Sequence, residues 1–327
     1  MIFSLAITGP TASGKTALSL ALAERLSAEI ISADSMQIYR EMNIGTAKVT
    51  EAEQGRVPHH LLDIVSPDES FSVEAYREAA LIAARDITSR GKLPIFVGGT
   101  GLYVDSLTRG VSLDSPESDP AFRDSILAGI KSEEDVVALW ERLRSVDPES
   151  AEKIHKNNIK RVIRALEIYE KTGKPKSAFD RETKNAPSEI FVGMITLDFH
   201  DRETLYGRVD RRVDIMMEEG LLQEVKDLYE RGLLVGGTAS QAIGYKEIVS
   251  YLEGRCTLSE SVEEIKLSSR RYAKRQLTWF RHEEGAATVF VDGEDGKIRD
   301  LSELLSEALG HYEKFKLQFE SIERQQQ

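Results

Sequence analysis

The chain has 327 residues, a single cysteine and a formal net charge of −12. One cysteine excludes an internal disulfide and a cysteine-cluster zinc site, and it fits a reducing, cytoplasmic setting. The acidic balance argues against nonspecific nucleic-acid binding, and no apolar run of about 18 residues predicts a membrane helix.

The elements alternate at first. MIFSLAIT reads as a buried strand rather than a signal peptide, Gly9 to Thr16 as a loop, and ALSLALAERL as a helix. EIISAD (Glu29–Asp34) predicts a second strand, SVEAYREAALIAARDITSRGK a helix ended by Gly91, LPIFVGG a third strand, and TGLYVDSLTRG a helix. Strand and helix in alternation predict an α/β fold on a parallel sheet. DSPESDP (Asp114–Pro120) reads as a turn or linker, and only helical periodicity follows to about Ala186. IFVGMITL (Ile190–Leu197) returns to strand character. Helices are then predicted over Arg202–Glu219, Leu221–Arg231, Ala239–Glu253 and Ser259–Arg281, with TVFVD as an edge strand, a last helix over Arg299–Phe315 and a frayed polar end. The expected organisation is a core of residues 1–113 and 190–327 interrupted by a helical insertion of residues 114–189.

Two local segments escape the acidic average. Lys266 to His282 carries six Lys/Arg and no acid, and His155 to Lys176 carries seven Lys/Arg against two Glu. Such stretches let an acidic protein bind RNA locally. In the first, Tyr272, Trp279 and Phe280 lie among the cations, which suits base stacking; an amphipathic helix burying Trp279 and Phe280 explains the same pattern.

GPTASGKT (Gly9, Pro10, Thr11, Ala12, Ser13, Gly14, Lys15, Thr16) matches G-x-x-x-x-G-K-[ST] between a predicted strand and a helix. Backbone N–H groups and the positive helix end would cradle an anion there. Lys15 adds charge, and the Thr16 hydroxyl can reach Mg²⁺. GGTGLY (Gly98–Tyr103) is a second strand-to-helix turn at the same sheet edge, with Thr100 either a site hydroxyl or a helix cap. Asp34 leaves the second strand; it reads as a helix cap paired with Gln37, or as a general base or water-mediated Mg²⁺ partner beside the phosphate loop. The adjacent His59 and His60 read as structural, with no metal site. Arg208 and Arg212 share a helix face and could clamp a diphosphate, or else pair with Asp210 and Asp214 on a solvated face.

In order, GPTASGKT, DSMQIYR, GTAK, HHLLDI, GGTGLY, RVIRALE, QAIGYKE and YAKRQLTWFR span about Ile2 to Arg281. The set resembles the bacterial tRNA dimethylallyltransferase family. The resemblance implies a P-loop NTPase-like core with a helical insertion. It also implies transfer of a dimethylallyl group from its diphosphate to N6 of adenosine 37, beside the anticodon, in tRNAs reading codons that begin with U. It implies Gly9 to Thr16 as the diphosphate loop, Asp34 as general base, Thr100 near the leaving oxygen and Arg208 on the diphosphate. Implied tRNA contacts are Asp34, Ser35, Met36 and Gln37; Thr100; Arg123; Lys160, Arg161, Val162, Ile163 and Arg164; Gln241, Ala242, Ile243, Gly244, Tyr245 and Lys246; and Lys274, Arg275, Gln276, Trp279 and Arg281. NNIKR stands where the family usually has NPQR, so Ile159 and Lys160 depart from its pattern. Expected partners are the tRNA anticodon stem-loop, dimethylallyl diphosphate and Mg²⁺, acting on a cytoplasmic monomer without a membrane. Two rivals share the loop: a P-loop small-molecule kinase that binds ATP, and a noncatalytic RNA-binding nucleotide switch.

Overall fold

The computed structural model describes residues 1–108, 119–184 and 188–326. Contacts divide it into two compact units, Met1–Thr108 with the chain from Glu189 onward, and the residues between them. The predicted linker at 114–120 lies almost wholly outside the described residues.

The first unit is built on a parallel sheet. Its strands are β1 (Ile2–Thr8), β2 (Ala28–Ser32), β3 (His59–His60), β4 (Leu93–Val97), β5 (Ile190–Asp198) and β6 (Ala287–Phe290). Their spatial order is β3-β2-β4-β1-β5-β6, every pair parallel. The alternation read from sequence is therefore realised as an α/β, P-loop NTPase-like core. Period-two alternation gives β1 two buried faces. Leu5 and Ile7 pack against Leu18 and Leu22 of α1 (Lys15–Leu26), while Ala6 joins Tyr76, Ala80 and Ala84 of α3 (Val73–Ser89) on the opposite face. Each fully buried Leu or Ile contributes about 1.5–3 kcal/mol relative to exposure.

The chain passes from β1 through α1 to β2, and β4 then inserts between those two strands. Crevices at the carboxyl ends of strands open at such reversals of strand order. The loop after β1, the turn after β2 and the turn from β4 into α4 (Gly101–Thr108) meet there.

The remaining helices of this unit are α2 (Glu51–Arg56), α10 (Arg202–Glu218), α11 (Leu221–Glu230), α12 (Tyr245–Leu252), α13 (Leu258–Phe280) and α14 (Leu301–Gln326). Residues from α10 to α13 form their own apolar cluster with Ile38, Tyr39 and Met42 of the turn after β2. The second unit holds α5 (Pro120–Gly129), α6 (Glu133–Val146), α7 (Pro148–Lys153), α8 (Ile159–Thr172) and α9 (Lys176–Lys184) around Leu143, Val162 and Leu166.

Several expectations change. Asp34 caps no helix: the chain turns instead, and Asp34 Oδ1 accepts the Met36 N–H at 2.9 Å. Gln37, the expected second half of a capping box, donates Nε2 to the carbonyls of Thr46 and Ala47 and accepts from the Ser32 hydroxyl. The helix expected over Ala239–Glu253 is a short 3₁₀ turn at Ala239–Gln241 followed by α12, interrupted at Gly244, whose φ is 96°. His59 and His60 form an edge strand, and the Thr50/Glu53 capping box starts α2; neither element was read from the sequence. The last helix runs on to Gln326 rather than fraying after Phe315.

Candidate active site

The phosphate loop turns away from β1 with Gly9 at φ 136° and Gly14 at φ 90°, backbone that favours glycine. Its residues Thr11 to Thr16 line a cavity of about 670 Å³. Asp34, Ser35, Met36 and Gln37 line the same cavity, as do Gly98, Arg212, Tyr272 and Arg275. The sequence separates these residues by more than two hundred positions; the strand order brings them together.

Lys15 folds back onto its own loop, where Nζ donates to the carbonyls of Pro10 at 2.6 Å and Gly9 at 3.0 Å. Burial, then the like charge of Arg212, lower its pKa to about 7 against the opposing effect of Asp34. An arriving anion would restore the proton that burial removes. Arg212 is itself pushed down by desolvation and drawn up by Asp34 and Glu219. The Ser13 hydroxyl is buried with no hydrogen-bond partner among the described residues, and Thr16, the second residue of α1, lines the cavity. Backbone N–H groups, two cations and two hydroxyls thus converge on one volume, a set suited to a di- or polyphosphate.

Arg208 reaches the loop from α10 and donates Nε to the Ala12 carbonyl at 2.8 Å. It is absent from the cavity lining, which one turn further on is supplied by Arg212. The solvated-face alternative does not hold, because α13 occupies the acids: Arg270 binds Asp210 at 2.6 Å and Lys266 binds Asp214 at 2.7 Å. Thr100 accepts the Ser35 N–H at 3.0 Å and donates to the Ser35 hydroxyl at 3.3 Å. It pins the Asp34 turn to the start of α4. Tyr272 faces Thr100 and Gln276, its phenol pushed up to about 12 by burial and then by Asp34.

The other expected positions distribute as follows. Gln241, Ala242, Ile243, Gly244 and Lys246 line the cavity, whereas Tyr245 is buried and donates its hydroxyl to Glu224 at 2.6 Å. On α13, Lys274 and Arg275 are exposed, and the Arg275 guanidinium lies 5.6 Å from the centre of the Tyr272 ring. Gln276 is buried. Trp279 packs on Gly101 and donates to Asp105 at 3.3 Å, and Arg281 forms a two-pronged pair with Asp198 at 2.7 and 2.8 Å. In the second unit, Lys160 and Arg161 are exposed, Val162 and Ile163 are buried, and Arg123 and Arg164 both grip the buried carboxylate of Glu167. The side chains of Val162, Ile163 and Tyr245 therefore pack inward and offer no surface to a ligand. His59 Nδ1 meets the Val57 carbonyl at 2.7 Å and His60 Nε2 the Glu29 carboxylate at 2.8 Å. Among the described residues no three His, Cys, Asp or Glu gather as metal ligands.

Glu224 was missed by the sequence reading. Its carboxylate accepts the N–H groups of Asn43, Ile44 and Gly45 at 2.9, 2.8 and 3.1 Å, as well as the Tyr245 hydroxyl. No local pattern marks it, since its three backbone partners lie about half the chain away. Arg212 did carry a signal, its spacing from Arg208.

Comparison with known proteins places these residues in context. The IPP transferase family model matches residues 37–283, and an isopentenyl transferase model matches residues 3–63. A tRNA dimethylallyltransferase of Shouchella clausii is 48% identical over 295 residues, covering 90% of this chain and 93% of that protein. One from Bacillus cereus is 50% identical over 277 residues, 84% of this chain and 86% of that one. The crystal structure of a tRNA isopentenylpyrophosphate transferase from Bacillus halodurans superposes with a TM-score of 0.67 at 42% identity, covering 98% of this chain and all of that one. A eukaryotic dimethylallyltransferase acting on tRNA superposes with a TM-score of 0.75 at 32% identity, covering 89% and 74%.

Proposed function

The chain belongs to the IPP transferase family, and we propose that it is a tRNA dimethylallyltransferase that prenylates N6 of adenosine 37 in tRNAs reading codons that begin with U. The observation that carries this reading is a carboxylate, Asp34, facing a polyphosphate cradle across one cavity. In phosphoryl transfer the nucleophile and its base line up on phosphorus; in prenyl transfer they line up on C1, beyond the bridging oxygen, with the base on the far side of the attacking nitrogen.

In the reaction the adenine N6 attacks C1 of the dimethylallyl group, the C1–O bond breaks, and diphosphate departs with the bonding electrons. The N6 lone pair is delocalised into the ring, so removal of the N6 proton assists attack, and Asp34 accepts it. Negative charge grows on the leaving diphosphate, where Lys15, Arg212, Arg208 and the loop N–H groups stabilise it. Thr100 holds Ser35 and with it the Asp34 turn; a hydrogen bond from its hydroxyl to the departing oxygen is part of the proposal.

The donor set fits Mg²⁺. A hydroxyl at Thr16, a carboxylate at Asp34 and the unpartnered Ser13 hydroxyl are hard oxygen donors, and a cation that keeps several waters and substrate oxygens needs few protein ligands. Thr16 would hold the ion directly and Asp34 through water. When bound, the ion neutralises charge on the diphosphate.

For RNA, the exposed Lys274 and Arg275 on α13 and Gln241 and Lys246 at the cavity would supply cations and polar groups; within the second unit the exposed Lys160 and Arg161 would do the same, while Arg123 is engaged with Glu167. These cations and polar groups would hold the anticodon-loop backbone and offset the few kcal/mol needed to unstack the target base. No helix of the described residues is long and apolar enough to cross a membrane.

The test is mass analysis of tRNA nucleosides after incubation with dimethylallyl diphosphate and Mg²⁺. Dimethylallyladenosine is the expected product. Its absence, with ATP-dependent phosphorylation of a small molecule instead, would favour the kinase.

A further inference from the structure

Gln276 sits in the RNA-facing helix and is turned away from solvent. Only 5% of it is exposed, and both ends of its amide are used. Oε1 accepts the N–H of Thr11 in the phosphate loop at 2.9 Å, and Nε2 donates to the carbonyl of Gly99 in the second glycine turn at 2.8 Å. The fit is close: a Cβ added at Gly99 would lie 2.0 Å from Gln276 Nε2. One side chain therefore fixes the spacing between the two turns that frame the cavity. Its neighbours on the same helix, Lys274 and Arg275, are exposed; Tyr272, Arg275 and Gln276 itself all border the cavity, Gln276 with both ends of its amide already taken.

An amide is suited to this place. It offers one acceptor and one donor to two backbone groups of opposite sense. A carboxylate could satisfy Thr11 but would oppose the Gly99 carbonyl and set a negative charge beside an anion site. An apolar side chain would leave both backbone groups buried and unpaired.

Resting on the reading above, we infer that Gln276 is not an RNA-contacting residue. It is the positioning residue through which RNA held on α13 sets the geometry of the diphosphate loop. Any shift of α13 on RNA binding must move Thr11 and Gly99 with it or break one of the two bonds. RNA and diphosphate affinities are then linked, and by reciprocity each ligand alters the other's affinity by the same factor.

The experiment measures binding of inorganic diphosphate to the full chain, with and without an unmodified anticodon stem-loop RNA, for the wild type and for Gln276→Leu. The wild type should show a change of at least about fivefold in diphosphate affinity when RNA is present, within the usual range of such couplings. Gln276→Leu should reduce that factor to near one, weaken diphosphate alone about tenfold, and leave RNA affinity within about threefold. Gly99→Ala displaces the amide from the opposite side without altering α13; it should reproduce the loss of coupling and guards against a folding defect peculiar to the first variant. Equal losses of RNA and diphosphate affinity, an unaltered coupling factor in both variants, or no coupling in the wild type would each overturn the inference. Prenylation by the wild type, followed in parallel, reports separately on the proposed function.

Discussion

Two carboxylates flank β2, and they live in opposite conditions. Glu29, inside the strand, is 2% exposed and surrounded by its own partners: the cations Arg90 and Lys92, the latter at 2.8 Å, and the His60 ring at 2.8 Å. The Arg90 guanidinium, then Lys92 and His60, hold its carboxyl well below the usual carboxylate range against the opposing effect of burial. Asp34, just beyond the other end, accepts one backbone N–H, that of Met36, and otherwise faces the cavity with Lys15 and Arg212 nearby. A carboxylate neutralised by its own protein is spent on structure. One left against cations that await another anion is available for chemistry once that anion binds.

Substitutions at the two positions should therefore fail differently. Asp34→Asn should lower the single-turnover prenylation rate by about 10²–10⁴ while tRNA affinity changes little; an unaltered rate would remove Asp34 as the base. Next in size, Arg208→Ala and Arg212→Ala should each weaken inorganic diphosphate by roughly 10–100-fold, the loss expected for a hydrogen-bonded charge. Calorimetry would show whether either is merely a surface cation.

Lys15 sharpens the contrast through pH. With its pKa lowered to about 7, Lys15 is largely neutral above that value until a diphosphate restores the proton. Diphosphate binding should take up a proton at pH 8, and affinity should fall as pH rises from 7 to 9 by at most about tenfold per unit. Lys15→Arg, charged throughout, should lose that part of the dependence and so separate it from titration of the ligand itself. For stability the sign is opposite. Between about pH 7 and the ordinary lysine value of 10.5 the unfolded chain binds the additional proton, so the Lys15 contribution to stability rises with pH.

The smallest catalytic effect belongs to Glu29. Glu29→Gln should lower unfolding stability by about 1–3 kcal/mol, less than for a fully buried pair because Arg90 and Lys92 reach solvent. The single-turnover rate should stay within about threefold. The stability contribution of Glu29 is full above about pH 4.5 and is lost as pH falls toward the depressed folded value. A large catalytic defect in Glu29→Gln would erase the distinction between the two carboxylates.

The same contrast explains what could be read from the sequence. The phosphate loop was legible because its chemistry is local: glycines at strained φ, a lysine and a hydroxyl lie within one turn. The parallel sheet was legible from alternation, except for β3, whose two residues are too short to carry a period. Asp34 was ambiguous because a short polar side chain after a strand serves a cap or a site equally well; the absence of a helix after it and its place on the cavity distinguish the two. Beyond the phosphate loop, much of the cavity wall, such as Gln241 to Gly244, was named only through the family resemblance and by no local pattern. Arg212 counts as a site residue only once α13 claims Asp210 and Asp214, and Glu224 acts on backbone N–H groups with no identity in the sequence. Gln276 lies in a basic stretch, yet it is the one polar residue there turned wholly inward.

The central claim is that the loop holds a leaving group on carbon. Dimethylallyl diphosphate carrying ¹⁸O at the bridge between C1 and phosphorus tests it directly, with tRNA as acceptor and the released products weighed. Cleavage of the C1–O bond places all of the label in free diphosphate while the prenyl group appears on adenosine. Label retained on the prenyl carbon, as the alcohol or the monophosphate, would mean attack at phosphorus and would contradict the account.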